Sequence, residues 1–179
     1  PQSVVTPEGN TLTIVSYDAC TGVVTYSYTL TANERHPSGD GSNSISEHFD
    51  VVAKDADGST ATGSLDVNII DDVPHAVDDG NAVTASEQHL ELTGNVLTND
   101  VQGADRVPGG PVIAGTFTGT YGTLVLAADG SYTYTLNASD PDFKNLGGGG
   151  NGVEHFTYTI KDADGDTSSA TLTLNISNL

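Results

Sequence analysis

The chain has 179 residues, of which 36% are hydrophobic, so it can bury one large core or two small ones. Its 24 acidic residues outnumber 5 Lys and Arg, which gives a formal net charge of -19. This charge excludes the basic surface that nucleic acids require, and it argues against contact with an anionic membrane. No apolar run is long enough to insert into a membrane as a helix, and the single cysteine, Cys20, excludes a disulfide bond within the chain.

Taken in chain order, the predicted strands form two sets that repeat each other. The segment 26–30 (YSYTL) returns as 132–136 (YTYTL), and the segment 48–58 returns as 155–165, both ending in Asp-Ala-Asp-Gly. The spacing between the two copies is about 107 residues. A repeat of this length that is built from strands predicts tandem modules in a row.

The first module, residues 1–72, contains only the later strands of the second module. Nothing in it corresponds to roughly 75–115. Either the chain starts inside a module, or the first module is abbreviated, or its missing strands come from elsewhere. The absence of Met suggests a part of a longer protein or a mature, processed piece. The module ends at Asp71-Asp72-Val73-Pro74, since Pro74 cannot extend the ladder of a central strand.

The second module, residues 73–179, shows apolar and polar residues in alternation, which predicts antiparallel strands with one buried face each. Asp129-Gly130 predicts a hairpin turn, and no stretch shows a helical period. The predicted fold class is therefore all-β, with tandem Ig-like or cadherin-like antiparallel β-sandwich modules. Its strands are expected near 76–84, 88–97, 111–118, 121–127, 131–137, 153–161 and 168–177.

Acidic residues of the second module lie mostly where its predicted strands end. In a seven-stranded sandwich these loops meet at the end where the module's N-terminus enters, and carboxylates so close together repel one another. Ca²⁺ takes about 6–8 oxygen ligands from carboxylates, carbonyls and Asn, whereas the sparse Cys and His residues do not favour zinc. We therefore predict a short calcium-binding linker between the modules. The predicted ligands are Asp71, Asp72, Asp78, Asp79, Asn99, Asp100, Asp105, Asp162, Asp164 and Asp166, with Asp55 and Asp57 in the first module.

Four motifs carry a family resemblance: GNVLTND at 94–100, YGTL at 121–124, DGSYTY at 129–134 and DADG at 162–165. Together they resemble the VCBS-type and related Ig-like repeats of giant RTX adhesins. The resemblance implies type I secretion, an extracellular location at the cell surface, a role in attachment and biofilm formation, and rigidity that depends on Ca²⁺. It also implies ligands at linkers and loop ends, which here are Asp71, Asp72, Asp79, Asp162 and Asp164.

These features predict a calcium-rigidified structural extender of a bacterial surface adhesin and not an enzyme. We expect a monomer whose partners are neighbouring repeats of the same adhesin, with surface glycans or proteins reached through other domains. An alternative is a ligand-binding module for carbohydrate or peptide, although the chain has no Trp to stack on a sugar. Asp140 and Asp142 would be the carboxylate pair of a glycosidase, but neighbours in one loop are more typical of a turn.

Overall fold

The computed structural model describes residues 2–39 and 41–179, and these form two compact units. The first unit consists of Pro1–His36 and Ser44–Ile69, and the second of Pro37–Asn43 and Ile70–Leu179. The chain therefore passes from one unit to the other three times. The predicted boundary at residues 72 and 73 did not include the short excursion of 37–43 into the second unit.

Strands dominate the structure, which confirms the predicted all-β fold class. Alternating Thr with Tyr, Phe, Val and Ile favours extended backbone over helix. The elements are β1 (Gln2–Val5), β2 (Thr11–Tyr17), β3 (Val24–Thr29), β4 (Ser44–Lys54), β5 (Thr60–Ile70), β6 (Asp79–Gly80), β7 (Glu91–Asn95), a 3₁₀ helix (Val96–Thr98), β8 (Gly115–Thr118), β9 (Gly122–Leu126), β10 (Ser131–Leu136), α1 (Pro141–Asn145), β11 (Asn151–Lys161) and β12 (Thr167–Ser177).

The second unit contains two sheets that share one hydrophobic core. One sheet has the antiparallel order β7-β10-β9-β8, and the other has β11 and β12 antiparallel, with β6 parallel to β12. Side chains of both sheets are buried in a single cluster, as expected for a cadherin-like β-sandwich. The largest apolar side chains that are almost fully buried are Tyr134, Phe143, Leu124, Ile160, Leu172, Leu174 and Ile176.

A carboxylate is also buried in this core. Glu154 on β11 is only 3% exposed, and its oxygens accept hydrogen bonds from Thr120 N (3.0 Å), Tyr121 N (2.6 Å) and the Tyr134 hydroxyl (3.1 Å). Three donors compensate for the loss of water around the charge. Glu154 therefore ties the loop between β8 and β9 to the opposite sheet.

The first unit repeats part of this plan with a thinner core. Its strands form a sheet of order β1-β2-β3 and a β4-β5 hairpin. Tyr28 and Phe49 contact each other edge to face with ring centroids 6.4 Å apart, and the Tyr28 hydroxyl donates to Glu47 Oε2 at 2.6 Å. Among the residues of this unit that the structure describes, Leu12 and Ile69 are the buried apolar side chains.

Two elements differ from the sequence prediction. Only Asp79–Gly80 form a regular strand within the predicted 76–84, because Asn81 Oδ1 accepts from Val83 N at 2.9 Å and turns the chain. The unpredicted helix α1 has Asp140 as its N-cap, accepting from Asp142 N at 2.8 Å, and it buries Phe143. Asp140 is thus a helix cap, and a five-residue helix is too short to show a period in the sequence.

Candidate metal centre

The centre is built on the hairpin that joins β11 to β12. Asp162 directly follows β11, and its Oδ1 accepts hydrogen bonds from Gly165 N at 2.9 Å and Asp166 N at 2.7 Å. The main-chain N–H of Asp162 donates to Asp166 O at 3.1 Å. Gly165 has φ +108°, a conformation that side-chain-bearing residues rarely adopt. The order of Asp and Gly residues thus closes the loop and points its other carboxylates inward.

Five aspartates meet at this hairpin, and we call them the acidic cluster. Asp71, Asp105 and Asp164 each offer a carboxylate oxygen within 4.8 Å of the others. Asp162, Asp164 and Asp166 form a second group with the same spacing. Asp164 belongs to both groups, so the acidic cluster offers two adjacent ligand sets that share one carboxylate. All five residues lie in the second unit.

Burial makes this arrangement unfavourable without a cation. Asp162 is 3% exposed and Asp166 is 6% exposed. The Oδ2 atom of each is buried and has no hydrogen-bond donor among the described residues. Burial raises the pKa of Asp162 to about 6, and the adjacent Asp164 contributes to the rise. Buried carboxylate oxygens without donors are costly, and a bound cation removes that cost.

A segment that the sequence did not implicate lies against the acidic cluster. Gly41 N donates to Asp166 Oδ1 at 3.0 Å, and the Ser38 hydroxyl donates to the main-chain oxygen of Asp164. Asp71 N donates to Asn43 O at 2.8 Å. Residues 37–43 look like an ordinary polar Gly-rich loop in the sequence, and only the tertiary fold reveals their proximity to Asp164 and Asp166.

Asp105 reaches the acidic cluster from the loop between β7 and β8. Its main-chain oxygen accepts from Ala163 N at 2.9 Å, which joins this loop to the hairpin. Asp72 stands beside the acidic cluster and is exposed, with Oδ2 accepting from Ala104 N at 2.6 Å. Asp72 therefore holds the loop that carries Asp105, and it is not in either ligand group.

Two of the predicted ligands, Asp79 and Asp100, meet at Tyr158 instead, and their sequence neighbours Asp78 and Asn99 are hydrogen-bonded to each other. The Tyr158 hydroxyl lies 2.8 Å from Asp79 Oδ2 and 3.1 Å from Asp100 Oδ1. Asp100 Oδ1 also accepts from the main chain of residue 77 at 2.7 Å, and Asn99 Nδ2 donates to Asp78 O at 3.0 Å. Burial raises the pKa of Asp79, with a smaller contribution from Asp100. These side chains fasten the entry segment to the fold through hydrogen bonds.

Asp78 has a similar role, because its Oδ1 accepts from Thr171 N at 2.8 Å on β12. In the first unit, Asp55 and Asp57 lie in the β4–β5 hairpin, and both are exposed. Their carboxylates accept from Ser59 N at 2.8 Å and 3.2 Å. Within the described part of the chain neither belongs to a ligand group. Ser59 occupies the position equivalent to Asp166, so the hairpin of the first unit has one carboxylate fewer than the hairpin of the second.

The acidic cluster offers only carboxylate oxygens, with main-chain carbonyl groups close by. Such a hard and highly charged donor set suits Ca²⁺. Zinc prefers nitrogen and sulfur ligands, and neither ligand group contains His or Cys.

Comparison with known families points to the same region of the chain. A family model described as a bacterial cadherin-like domain matches residues 71–178, which include all five residues of the acidic cluster. A search of curated proteins found no match. None of the helices in the described ranges is long and apolar enough to cross a membrane.

Proposed function

The chain belongs to the bacterial cadherin-like domain family, and we propose that it is a calcium-rigidified extender segment of a bacterial surface adhesin. Cadherin-like domains are structural modules of the adhesion type. The observation that supports the proposal is the acidic cluster, with two ligand groups that share Asp164. The buried Oδ2 atoms of Asp162 and Asp166 lack donors among the described residues, which is unfavourable unless a cation binds.

We assign two Ca²⁺ ions to the acidic cluster. Five carboxylates carry a formal charge that one divalent ion would leave largely uncompensated. Asp164 would contribute to both sites, with Asp71 and Asp105 at one and Asp162 and Asp166 at the other. Nearby main-chain carbonyl groups and water would supply the remaining ligands that Ca²⁺ requires.

Calcium binding would stabilise the second unit by mass action. Extracellular calcium modules bind with dissociation constants of about 10⁻⁴ to 10⁻³ M. A site at ten times its dissociation constant adds about 1.4 kcal/mol to the free energy of unfolding. Where calcium is scarce, the carboxylates repel one another and disfavour the compact state. This difference suits a protein that folds after export.

The route of the chain gives calcium a further effect. The acidic cluster includes Asp71, which follows the last of the three passages between the units, and it contacts the segment 37–43, which lies between the first two. Ions at the acidic cluster would hold Asp71 and the segment around Gly41 in place within the second unit. We propose that the resulting stiffness is what the segment contributes to an adhesin.

The wider setting follows from this proposal. The protein would be secreted by a type I system, remain at the cell surface and support attachment and biofilm formation. Its partners would be neighbouring repeats of the same adhesin. Binding to glycans or host proteins would belong to other domains.

Calorimetric titration of the full chain tests the calcium assignment. We expect about two Ca²⁺ ions per chain and at least tenfold weaker binding of Mg²⁺, which is smaller and demands octahedral geometry. Asp164→Asn should weaken both sites. Asp57→Asn is the matched control, because Asp57 occupies the equivalent hairpin position in the first unit and is exposed. Equal effects of the two substitutions would contradict the assignment.

Small-angle scattering on the same samples tests the extender role. Saturating Ca²⁺ should narrow the distribution of molecular dimensions relative to the metal-free chain, and Asp164→Asn should remove this change. Calcium binding without any change in the distribution would support a stabilising ion but refute rigidification.

A further inference from the structure

The first unit exposes side chains whose equivalents in the second unit are buried. Tyr26 is 50% exposed, whereas its equivalent Tyr132 is 5% exposed. Leu30 is 50% exposed, and its equivalent Leu136 is 4% exposed. The internal repeat thus identifies an apolar face on the first unit that the same fold covers elsewhere in the same chain.

In the second unit, β7 and the residues around it provide the cover. β7 pairs antiparallel with β10, with Leu92 opposite Tyr134 and Gly94 opposite Tyr132. Leu92 is buried in the core, and Leu136 N donates to the main-chain oxygen of residue 90 at 2.8 Å. A Cβ atom at Gly94 would lie 2.6 Å from the Tyr132 hydroxyl oxygen, so a larger residue here would displace the Tyr132 ring.

In the first unit, the strand equivalent to β10 has an open edge. β3 is the last strand of its sheet among the residues that the structure describes. The contacts between β3 and β4 are already in place, because Tyr28 on β3 contacts Phe49 and donates to Glu47 on β4. In the second unit, Tyr134 contacts Phe156 and donates to Glu154 in the same way. Among the residues that the structure describes, the first unit therefore has the acceptor face but no strand that covers it.

We propose that the open edge of β3 binds an extended segment of a neighbouring cadherin-like repeat, equivalent to residues 88–98. It would add as an antiparallel strand, with its Leu92 equivalent opposite Tyr28 and its Gly94 equivalent opposite Tyr26. Main-chain hydrogen bonds to the edge would hold it, and alternate apolar side chains would fill the exposed face. This inference uses residues of the first unit, none of which belongs to the acidic cluster, and does not depend on calcium.

A disulfide-trapping experiment tests both the binding and its register. The full chain carries Cys20→Ser and Ser27→Cys, and the probe is a synthetic peptide of residues 88–98 with Thr93→Cys. Residue 93 pairs with residue 133 in the second unit, so it should lie opposite residue 27 in the first. We expect this pair to cross-link at least tenfold faster than the same peptide with Leu92→Asp, which would bury a charge.

The repeat provides a matched control chain with Cys20→Ser and Thr133→Cys. Residue 133 is equivalent to residue 27, but β7 already pairs with its strand, so the peptide should react slowly. Equal rates at positions 27 and 133 would overturn the proposal, because they would indicate only accidental thiol collision. Equal rates with the Leu92→Asp peptide would overturn it too, because they would exclude burial of that side chain.

A covalent version covers the case in which a free peptide binds too weakly to be trapped. A copy of residues 75–112 is joined by a flexible linker to the start of the full chain. We expect the β3 main-chain amides to exchange hydrogen at least tenfold more slowly than in the original chain. A fused copy with Leu92→Asp is the control. If the unmodified copy leaves β3 exchange unchanged, the proposal is wrong.

Discussion

At the scale of single residues, Glu154 shows how the fold keeps a charge inside its core. Two main-chain N–H groups and the Tyr134 hydroxyl donate to its carboxylate. Glu154→Gln keeps the shape but loses the charge and places an amide opposite one of these donors. We expect a loss of about 1–3 kcal/mol in the free energy of unfolding of the second unit, measured by urea titration. Glu47→Gln should leave that unit unchanged, and equal effects would contradict this role of Glu154.

Asp162 should make the free energy of unfolding of the metal-free protein depend on pH. Burial raises its pKa to about 6 from the ordinary 3.8, so the folded state holds a proton that the unfolded chain has already released in that interval. Its contribution to stability should therefore be complete below about pH 4 and be lost as the pH rises to about 6. Calcium affinity should rise over the same interval, because the proton and the cation compete for the carboxylate.

Thermal unfolding in EDTA across this pH range measures the effect. Asp162→Asn is the control, because an amide oxygen can still accept from Gly165 N and Asp166 N but the side chain does not titrate. The difference in unfolding midpoint between the unmodified chain and Asp162→Asn should change between about pH 4 and pH 6. A constant difference would show that Asp162 titrates normally.

Some of these residue roles are readable from the sequence, and others need the fold. The alternation in β11 places Glu154 on the same face as Phe156, Tyr158 and Ile160, so its burial could have been predicted from the period alone. The proximity of Asp162, Asp164 and Asp166 also follows from one hairpin. By contrast, nothing local distinguishes Asp79, which bonds to Tyr158, from the carboxylates of the acidic cluster.

At the scale of elements, the segment 37–43 should respond to calcium together with the β11–β12 hairpin. Gly41 N and Asp71 N are hydrogen-bonded at the acidic cluster. Because bound Ca²⁺ would stabilise the local folded state, we expect their amide exchange to slow at least tenfold when calcium is added. Amide exchange measured by NMR provides the test.

The β4–β5 hairpin of the first unit provides a control for the exchange experiment. Gly58 N donates to Asp55 O at 3.3 Å in the loop equivalent to the cluster hairpin. Its exchange should not depend on calcium, because that loop contains no ligand group within the described residues. A calcium response at Gly58 that equals the response at Gly41 would indicate a general effect of ionic strength.

Regular elements with strong alternation were the predictable ones. β10 and β12 lie within one residue of their expected bounds, because each strand buries one face along its whole length. β6 and α1 were not predictable, since side-chain bonds to the nearby main chain define both. The excursion of 37–43 depends on tertiary contacts, for which the sequence contains no periodic signal.

At the scale of the whole molecule, the two units differ in how much core they possess. The second unit buries eighteen apolar side chains in one cluster, whereas the first buries little beyond Leu12 and Ile69 in the part that the structure describes. Folding stability is a small difference between large terms, so a thin core leaves the first unit close to its limit. Scanning calorimetry should therefore show two transitions, with the first unit unfolding at the lower temperature.

Calcium should separate these transitions further, because both ligand groups lie in the second unit. Two sites at ten times their dissociation constants should raise the upper midpoint by about 10 °C and leave the lower midpoint unchanged. Asp164→Asn should abolish the rise. If calcium raises both midpoints together, the two units unfold as one cooperative system, and the expectation of two separate transitions is wrong.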